Sequence, residues 1–357
     1  MNEKNKRFFN KKIVVSFFLS ILVVLIHNHS FENYVYTGIG GEILKNLGDF
    51  LTSGITGVAI RMFFVISGAL FYRNYTYKET LNKYKSRAKT LLVPYLFWCL
   101  VYTVALMLLG MSPMKSLVAM ETDISLKNIL LGIFLNYYYK SFWFILNLII
   151  FTSLAPLFYF LLRNRYIGFC VVAVVIFLYS VGIKIPEVIV ISGEEYNVFW
   201  KADSIIFYMI GAYIGIHQWE RFTERKNKTV AILSAVVFFT CGLCVTLTIR
   251  FGLQITGVLF ILLMIIFCAS LWFMFDIFDF SKKPKHIFEF SFMMFALNFY
   301  LGVYISKLLF VILPKMPIFC LVNLIITLFV ELTVIFVVSF VLKKYMSKFY
   351  SFITGGR

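Results

Sequence analysis

Two ionisable side chains lie in stretches that are otherwise apolar, and each is of a type that could do chemistry there. His27 ends the first apolar stretch of the chain, and Arg61 lies near the start of the second. Charged groups are costly inside a bilayer, so residues of this kind within a span are functional candidates by default. An imidazole can act as a general base, and a guanidinium can stabilise an oxyanion or hold a phosphate.

The depths of these two residues can be compared from helical geometry. At about 1.5 Å per residue, His27 is expected in the outer third of the first helix and Arg61 about 10 Å below the outer surface. The two depths coincide, so we predict a pair of His27 and Arg61 across neighbouring helices; a snorkelling arginine and an interfacial histidine are the alternative. Glu331 is a further intramembrane acid, with Lys307 as a candidate partner by residue type alone.

The composition is that of an integral membrane protein. Hydrophobic residues make up 61% of the 357 and charged residues 14%, whereas soluble domains are about 25% charged. The net charge of +17 would suit a nucleic-acid-binding protein only if a polar domain presented a basic face. Here Lys and Arg occur in short runs between apolar stretches, which is typical of loops that face anionic lipid head groups. Membrane lipids are therefore expected partners, and nucleic acid is not.

Apolar runs long enough to cross a bilayer, about 20 residues, recur along the whole chain. We predict an all-α, polytopic bundle of about ten transmembrane helices that forms one domain over residues 1–357, without an appended soluble domain. The predicted spans are 12–29, 54–73, 91–110, 141–162, 166–183, 203–217, 230–249, 253–274, 289–312 and 318–342. The segment 126–138 is too short to cross and ends in tyrosines, so it is predicted to be interfacial or re-entrant.

The distribution of Lys and Arg sets the predicted orientation. Most of the 34 lie in the N-terminal tail, in alternate connections and at the C-terminus. Because cytoplasmic loops are enriched in these residues, both termini are predicted to be cytoplasmic. The basic N-terminus with its apolar run could also be a signal peptide. No small-x-small cleavage site follows, however, so we interpret it as a retained first helix.

The six cysteines all lie in apolar stretches. Cys241 and Cys244 have the spacing of a redox or zinc motif, but the sequence around them offers no histidine and no second cysteine pair. We interpret them as small buried hydrophobic residues. No metal ion is expected.

Six segments, in the right order and at matching spacing, resemble the membrane-bound acyltransferase-3 family. Its members are multi-helix bacterial proteins that transfer acetyl or other acyl groups to cell-surface glycans. The segments are 21–27, which ends in His27; 63–70, with the FFxxSGxL pattern at Phe63, Phe64, Ser67 and Gly68; 87–98, a basic loop before a proline-led helix; 143–146, which begins at Trp143; 207–213; and 291–298, which ends at Asn298. These motif residues, with Ser141 beside Trp143, are expected to contact substrate or to pack helices.

The resemblance, which runs nearly end to end, implies an O-acyltransferase of the bacterial cytoplasmic membrane. It would move an acetyl or other short acyl group from cytosolic acetyl-CoA or another acyl-CoA to a hydroxyl of a cell-surface or lipid-linked glycan. His27 is then the expected general base, and Arg61 is expected to hold the oxyanion or a glycan phosphate. The residues expected to bind the CoA phosphates are Lys12, Lys85, Arg87 and Lys89.

The sequence departs from the family pattern at four polar positions. Ser16 replaces a basic residue before the first-helix histidine, and Lys12 lies one turn below it on the same helical face. Thr90 replaces a basic residue of the loop, and Ser141 and Asn298 replace histidines. A divergent or inactive member is one open alternative. A transporter or flippase for glycan intermediates and a polysaccharide polymerase are two others, although we recognise neither inverted repeats nor a long outer loop.

Overall fold

A computed structural model describes residues 3–32, 34–111, 124–183, 188–191, 194–197, 203–253, 255 and 257–356. These ranges are mostly helical, which confirms the predicted all-α class. In chain order the helices are α1 (Glu3–Ile26), α2 (Gly38–Asp49), α3 (Ala59–Tyr72), α4 (Thr80–Arg87), α5 (Val93–Gly110), α6 (Leu126–Phe134), α7 (Trp143–Ser153), α8 (Ala155–Leu162), α9 (Arg165–Ser180), α10 (Ser204–His217), α11 (Trp219–Thr223), α12 (Lys228–Phe251), α13 (Val258–Met274), α14 (Ser291–Ile312), α15 (Phe319–Tyr345) and α16 (Ser347–Thr354). Strands β1 (Val188–Ile191) and β2 (Glu194–Asn197) form a short antiparallel hairpin between α9 and α10.

Seven helical segments in the described part of the chain are long and apolar enough to cross a membrane. They are Glu3–Ile26, Gly38–Tyr72, Tyr77–Gly110, Lys228–Phe251, Val258–Ile277, His286–Ile312 and Phe319–Tyr345. The pair Lys140–Ser153 and Ala155–Leu162, bent by 66°, would form an eighth span, while Arg165–Ser180 and Ser204–His217 are apolar but shorter. Each predicted span overlaps one of these segments. The chain is thus multi-pass; the number ten and the cytoplasmic position of both termini stay predictions.

The second long segment is not a regular α-helix throughout. Between α2 and α3 the backbone forms a π-helical turn over Phe50–Gly54 and then a 3₁₀ turn over Ile55–Val58. Gly54 lies so close to α12 that a Cβ would be 2.3 Å from Thr246 Oγ1 and 2.9 Å from Gly242 O. A side chain at residue 54 would collide with α12, so the glycine permits this approach.

The chain divides into two compact units. The first comprises Met1–Phe63 and Gln218–Tyr345. In it α12 packs along α13, α14 packs along α15, and α1 packs against α14. Its core includes the fully buried side chains of Phe267 and Met293.

The second unit comprises Phe64–His217 and Met346–Arg357. In it α6 packs on α5 and α16 also packs on α5, while α10 contacts α7, α8 and α9. Its core is aromatic, with Phe207 and Tyr208 buried on α10. One domain over the whole chain stays a prediction.

Candidate active site

The first helix ends at Ile26, so His27 is the first residue beyond it and does not lie within the helix as predicted. The backbone N–H groups of His27 and Asn28 each donate a hydrogen bond at 3.2 Å to the carbonyl three residues earlier, which completes the last turn of the helix. Ser30 N then donates to Asn28 Oδ1 at 2.9 Å. The next helix begins only at Gly38. The described residues between the two helices, 28–32 and 34–37, are not helical, and we call them the unwound segment.

Asn323 on α15 ties the unwound segment to two helices. Its Oδ1 accepts hydrogen bonds from Ser30 Oγ and Thr327 Oγ1, both at 3.0 Å, and its Nδ2 donates to Ser306 O at 3.0 Å. Ser30, Ser306, Asn323 and Thr327 are all buried. Polar groups in an apolar interior need partners of this kind. The network therefore holds the backbone after His27 in one place.

The depth of His27 follows from the contacts of α1 with the parallel helix α14. Ser20 Oγ donates to Ser291 O, at the start of α14, at 3.2 Å. Further along, the ring of His27 lies edge-on to Phe299, with centroids 5.0 Å apart. His27 is thus level with the first half of α14, and the unwound segment lies at the depth of spanning helices. Irregular backbone is tolerated there only where protein buries it or where it lines a cavity.

The environment of His27 keeps its ring neutral. Removal of the half-buried imidazole from water lowers its pKa from 6.5 to about 4, and nearby His29 adds to the shift. Burial has this direction because it disfavours the charged imidazolium. The ring is therefore unprotonated at neutral pH, which is the form that a general base needs.

Arg61 lies on α3, shortly after the π-helical and 3₁₀ turns. Its side chain is 8% exposed; Nη1 donates to Gly57 O at 2.5 Å, and the guanidinium lies 5.2 Å from the ring centre of Phe260 on α13. Distorted helical turns of this kind are frequent at functional sites. Because α1 packs against both turns, the helix that leads to His27 neighbours the segment that leads to Arg61. A direct contact of the two side chains stays a prediction.

A buried amide lies at the level of His27. Asn298 directly precedes Phe299 on α14 and is 1% exposed. Within the described ranges, neither Nδ2 nor Oδ1 of Asn298 has a hydrogen-bond partner. A buried polar group left in this state costs about 1–3 kcal/mol. The cost would be offset by a ligand that hydrogen-bonds the amide.

Glu331 on α15 is likewise 1% exposed, and neither carboxyl oxygen has a hydrogen-bond partner in the part of the chain that the structure describes. Its Oε2 lies 2.7 Å from the place that a Cβ on Gly302 would take. The carboxyl fits there because α14 has no side chain at that position. Lys307 is exposed and is not the partner of Glu331, so that prediction is wrong. The residue types alone do not show which way the two side chains point.

Sequence reasoning missed a buried ion pair near the start of α1. Lys11 is 4% exposed, its Nζ lies 2.8 Å from Asp276 Oδ1, and the ammonium lies 4.3 Å from the ring centre of Trp272. Asp276 follows an apolar helix, and no spacing in the sequence connects it with Lys11. Lys12, for which a CoA contact was predicted, is half-buried, and so is Ser16, one turn further along α1.

In the second unit, the basic residues of the predicted CoA site face different ways. Lys85 and Lys89 are exposed, whereas the guanidinium of Arg87 lies 5.5 Å from the ring centre of Phe71. Lys83, which sequence reasoning passed over, lies 5.2 Å from the same ring and donates to the carbonyl of Phe71. Aromatic rings attract cations in this arrangement. It is therefore Lys85 and Lys89 that are accessible to a soluble ligand.

Gly68 of the FFxxSGxL motif lies against the backbone of α10. A Cβ on Gly68 would be 2.4 Å from Tyr208 O, and one on Gly211 would be 2.2 Å from Val65 O. Small residues allow two membrane helices to approach this closely. The close approach of α3 and α10 thus accounts for the glycine of the motif by packing.

Other residues of the motifs are buried or half-buried. The ring centroid of buried Phe64 lies 6.2 Å from that of Trp143 at the start of α7. Ser141, two residues earlier, is buried, and its hydroxyl lacks a hydrogen-bond partner among the described residues. Phe63 and Ser67 are half-buried.

The fold and these side chains define a multi-pass membrane protein with a neutral histidine at an unwound helix end. The sequence profile of the acyltransferase-3 family, described as an acyltransferase domain, matches residues 17–344. The chain belongs to this family of membrane acyltransferases, which confirms the resemblance. No curated protein and no solved structure matches the chain.

Proposed function

We propose that the chain is an O-acyltransferase of the bacterial cytoplasmic membrane. It moves an acetyl or another short acyl group from cytosolic acyl-CoA to a hydroxyl group of a cell-surface or lipid-linked glycan. The observation that carries the proposal is the position of His27, which directly follows the last residue of a spanning helix and lies edge-on to Phe299 of α14. Burial lowers the pKa of this imidazole to about 4, so the ring is neutral, the form that takes a proton from a hydroxyl.

In the proposed reaction, His27 is the general base. The hydroxyl oxygen of the glycan attacks the carbonyl carbon of the thioester while its proton passes to the imidazole. The carbon–sulfur bond then breaks, and the CoA sulfur leaves as the thiol after it takes that proton from His27. Arg61 provides positive charge for the oxyanion, and the amide of Asn298, at the level of His27, contacts the substrate.

The donor is proposed to bind through its phosphates. The basic residues assigned to them are Lys12, Lys85, Arg87 and Lys89, which the charge pattern predicts to lie on the cytoplasmic side. The exposure of Lys85 and Lys89 supports this assignment best. Phe63, Phe64, Ser67, Gly68, Ser141 and Trp143 shape the helix packing beside the donor or contact substrate.

A transporter or flippase for glycan intermediates is the second candidate. The unwound segment after His27 favours it, because many transporters bind substrate where a membrane helix is interrupted. An assay with purified protein distinguishes the two functions. An acyltransferase consumes acyl-CoA in the presence of a glycan acceptor, whereas a transporter moves the glycan and leaves acyl-CoA intact.

The proposal is tested with the purified full chain in liposomes, acetyl-CoA labelled in the acetyl group, and a glycan-containing membrane fraction as acceptor. His27→Ala should lower the transfer of label at least a hundredfold, because a general base contributes about 10²–10⁴. The matched control is His286→Ala, since the side chain of His286 is 78% exposed; its rate should equal that of the parent. A folded His27→Ala variant with the parent's rate would show that the base is another residue.

A further inference from the structure

A cavity of ≈ 410 Å³ opens in the second unit, between the start of α5 and the C-terminal helix α16. It is lined by Lys89, Val93, Ser347, Lys348, Ser351 and Phe352. Four of these six residues belong to α16, which lies beyond the residues 17–344 that match the family. The cavity is thus formed largely by a helix that the family profile does not include.

The helix α16 is anchored at its end, so the wall of the cavity that it forms has a defined position. Trp98 Nε1 on α5 donates to Ile353 O at 3.0 Å. Gly355 ends the helix with a φ of +69°, and a Cβ there would lie 2.5 Å from Thr90 O. Only a glycine meets both demands without strain. The last turn of α16 therefore rests on the π-helical turn Ala88–Leu92, which carries Lys89.

The side chains of the cavity suit one class of ligand. Lys89 and Lys348 supply two positive charges, and none of the six lining residues is acidic. Ser347 and Ser351 lie four residues apart, on one face of α16, and add two hydroxyl donors. Ammonium and hydroxyl donors together recognise the oxygens of a phosphate.

The apolar residues of the lining restrict the class of ligand further. Val93 and Phe352 add apolar surface to the lining of the cavity, and Phe352 is 50% exposed. Inorganic phosphate alone would leave this surface in water. A phosphate ester with an attached apolar or aromatic group would cover it.

We infer that this cavity is a binding site for a phosphate ester and that α16 closes it. Two molecules on the predicted cytoplasmic side carry this chemistry: CoA, with its adenine ring, and an anionic phospholipid, with its acyl chains. For CoA the site rests on the proposed function, which already assigns Lys89 to the CoA phosphates. The residues Ser347, Lys348 and Ser351 of α16 and the phospholipid go beyond it.

The test measures the binding of two probes to the purified full chain at low ionic strength. CoA is titrated by calorimetry, and phosphatidylglycerol in nanodiscs is followed by the lipid retained in native mass spectrometry. Lys89→Ala and Lys348→Ala should each weaken the binding of one probe about fivefold, and the double variant about 25-fold, as expected for one lysine each against a phosphate. Lys78→Ala removes another exposed lysine of the same unit, outside the cavity, and should bind both probes as the parent does.

The two probes separate the sources of the phosphate. Lys348 is not among the residues proposed to bind the donor. Weaker binding of CoA alone by Lys348→Ala therefore assigns the cavity to the nucleotide, and weaker binding of phosphatidylglycerol alone assigns it to a lipid head group. The inference is overturned if the parent binds neither probe, if Lys348→Ala or the double variant binds both as the parent does, or if Lys78→Ala weakens binding equally. His27→Ala should bind both probes normally, so a failure of the proposed reaction would not be mistaken for a failure of this site.

Discussion

The titration of His27 offers the most direct test of the candidate active site. The perturbation is acidification from pH 7.5 to pH 5. A histidine with a pKa of 6.5 is only about 3% neutral at pH 5, whereas one with a pKa of about 4 is still about 90% neutral. Since the neutral ring is the proposed base, kcat/KM should change less than twofold over this interval. An unperturbed histidine would lose about thirtyfold.

The same pKa also determines how stability depends on pH. The pKa of His27 is lower in the folded chain than in the unfolded chain, so the unfolded chain binds the proton more readily. The contribution of His27 to stability is therefore greatest above pH 6.5 and is lost as the pH falls from 6.5 to about 4. At about 1.4 kcal/mol per pKa unit, the full loss is about 3.5 kcal/mol.

Two measurements check the titration. One is the pH profile of label transfer from acetyl-CoA in liposomes. The other is the titration of ¹³C-labelled histidines by NMR, in which the signal missing from His27→Ala identifies the ring. A titration of His27 near pH 6.5 would show that the ring is hydrated and would refute the reasoning from burial. A profile that falls thirtyfold by pH 5 while the NMR pKa stays near 4 would assign the base to another group.

Three further perturbations test the packing and the polar groups. Asp276→Ala leaves Lys11 buried without its counter-ion and should lower the free energy of unfolding by about 3–5 kcal/mol. A loss below about 1 kcal/mol, measured by chemical unfolding, would show that the ion pair is effectively solvated. Gly211→Ala puts a methyl group 2.2 Å from a backbone carbonyl of α3 and should lower the free energy of unfolding by about 1–3 kcal/mol. Gly40→Ala is the control, because its methyl group meets nothing within 4 Å. Equal melting temperatures of the two variants would contradict the close approach. Asn298→Leu removes an amide without a hydrogen-bond partner in the described ranges. The melting temperature should therefore stay the same or rise, while the rate of acyl transfer falls at least tenfold. A loss of stability parallel to the loss of acyl transfer would mean that the amide has a structural role.

His27 could be found from the sequence because an ionisable residue stands out in an apolar run. Its position outside the helix could not be found in the same way. It depends on the hydrogen bond that Ser30 Oγ donates to Asn323 Oδ1, and these two residues lie 293 apart in the chain. Residues 27–30 are polar, but polar residues alone do not end a helix, and the predicted span ran three residues past Ile26.

The partners of the other charged residues show the same limit. Lys307 was a reasonable partner for Glu331 by charge, but the rotation of α14 turns it outward and turns Gly302 towards the carboxyl. Lys11 and Asp276 are 265 residues apart, and neither belongs to a motif. The glycine of the FFxxSGxL motif was visible in the sequence, whereas its contact with α10 was not.

The sequence by itself determined the membrane class, the all-α fold and the family, because apolar runs and motifs are local features of the chain. Tertiary structure alone decided which side chains lie next to each other. Examples are the hydrogen-bond network around Asn323, the position of Gly302 beside Glu331 and the cavity that α16 forms next to Lys89. The physical reason is that a membrane helix can be apolar on every side. Its composition then predicts that it spans the bilayer, but the rotation and register that bring side chains together follow only from packing against its neighbours.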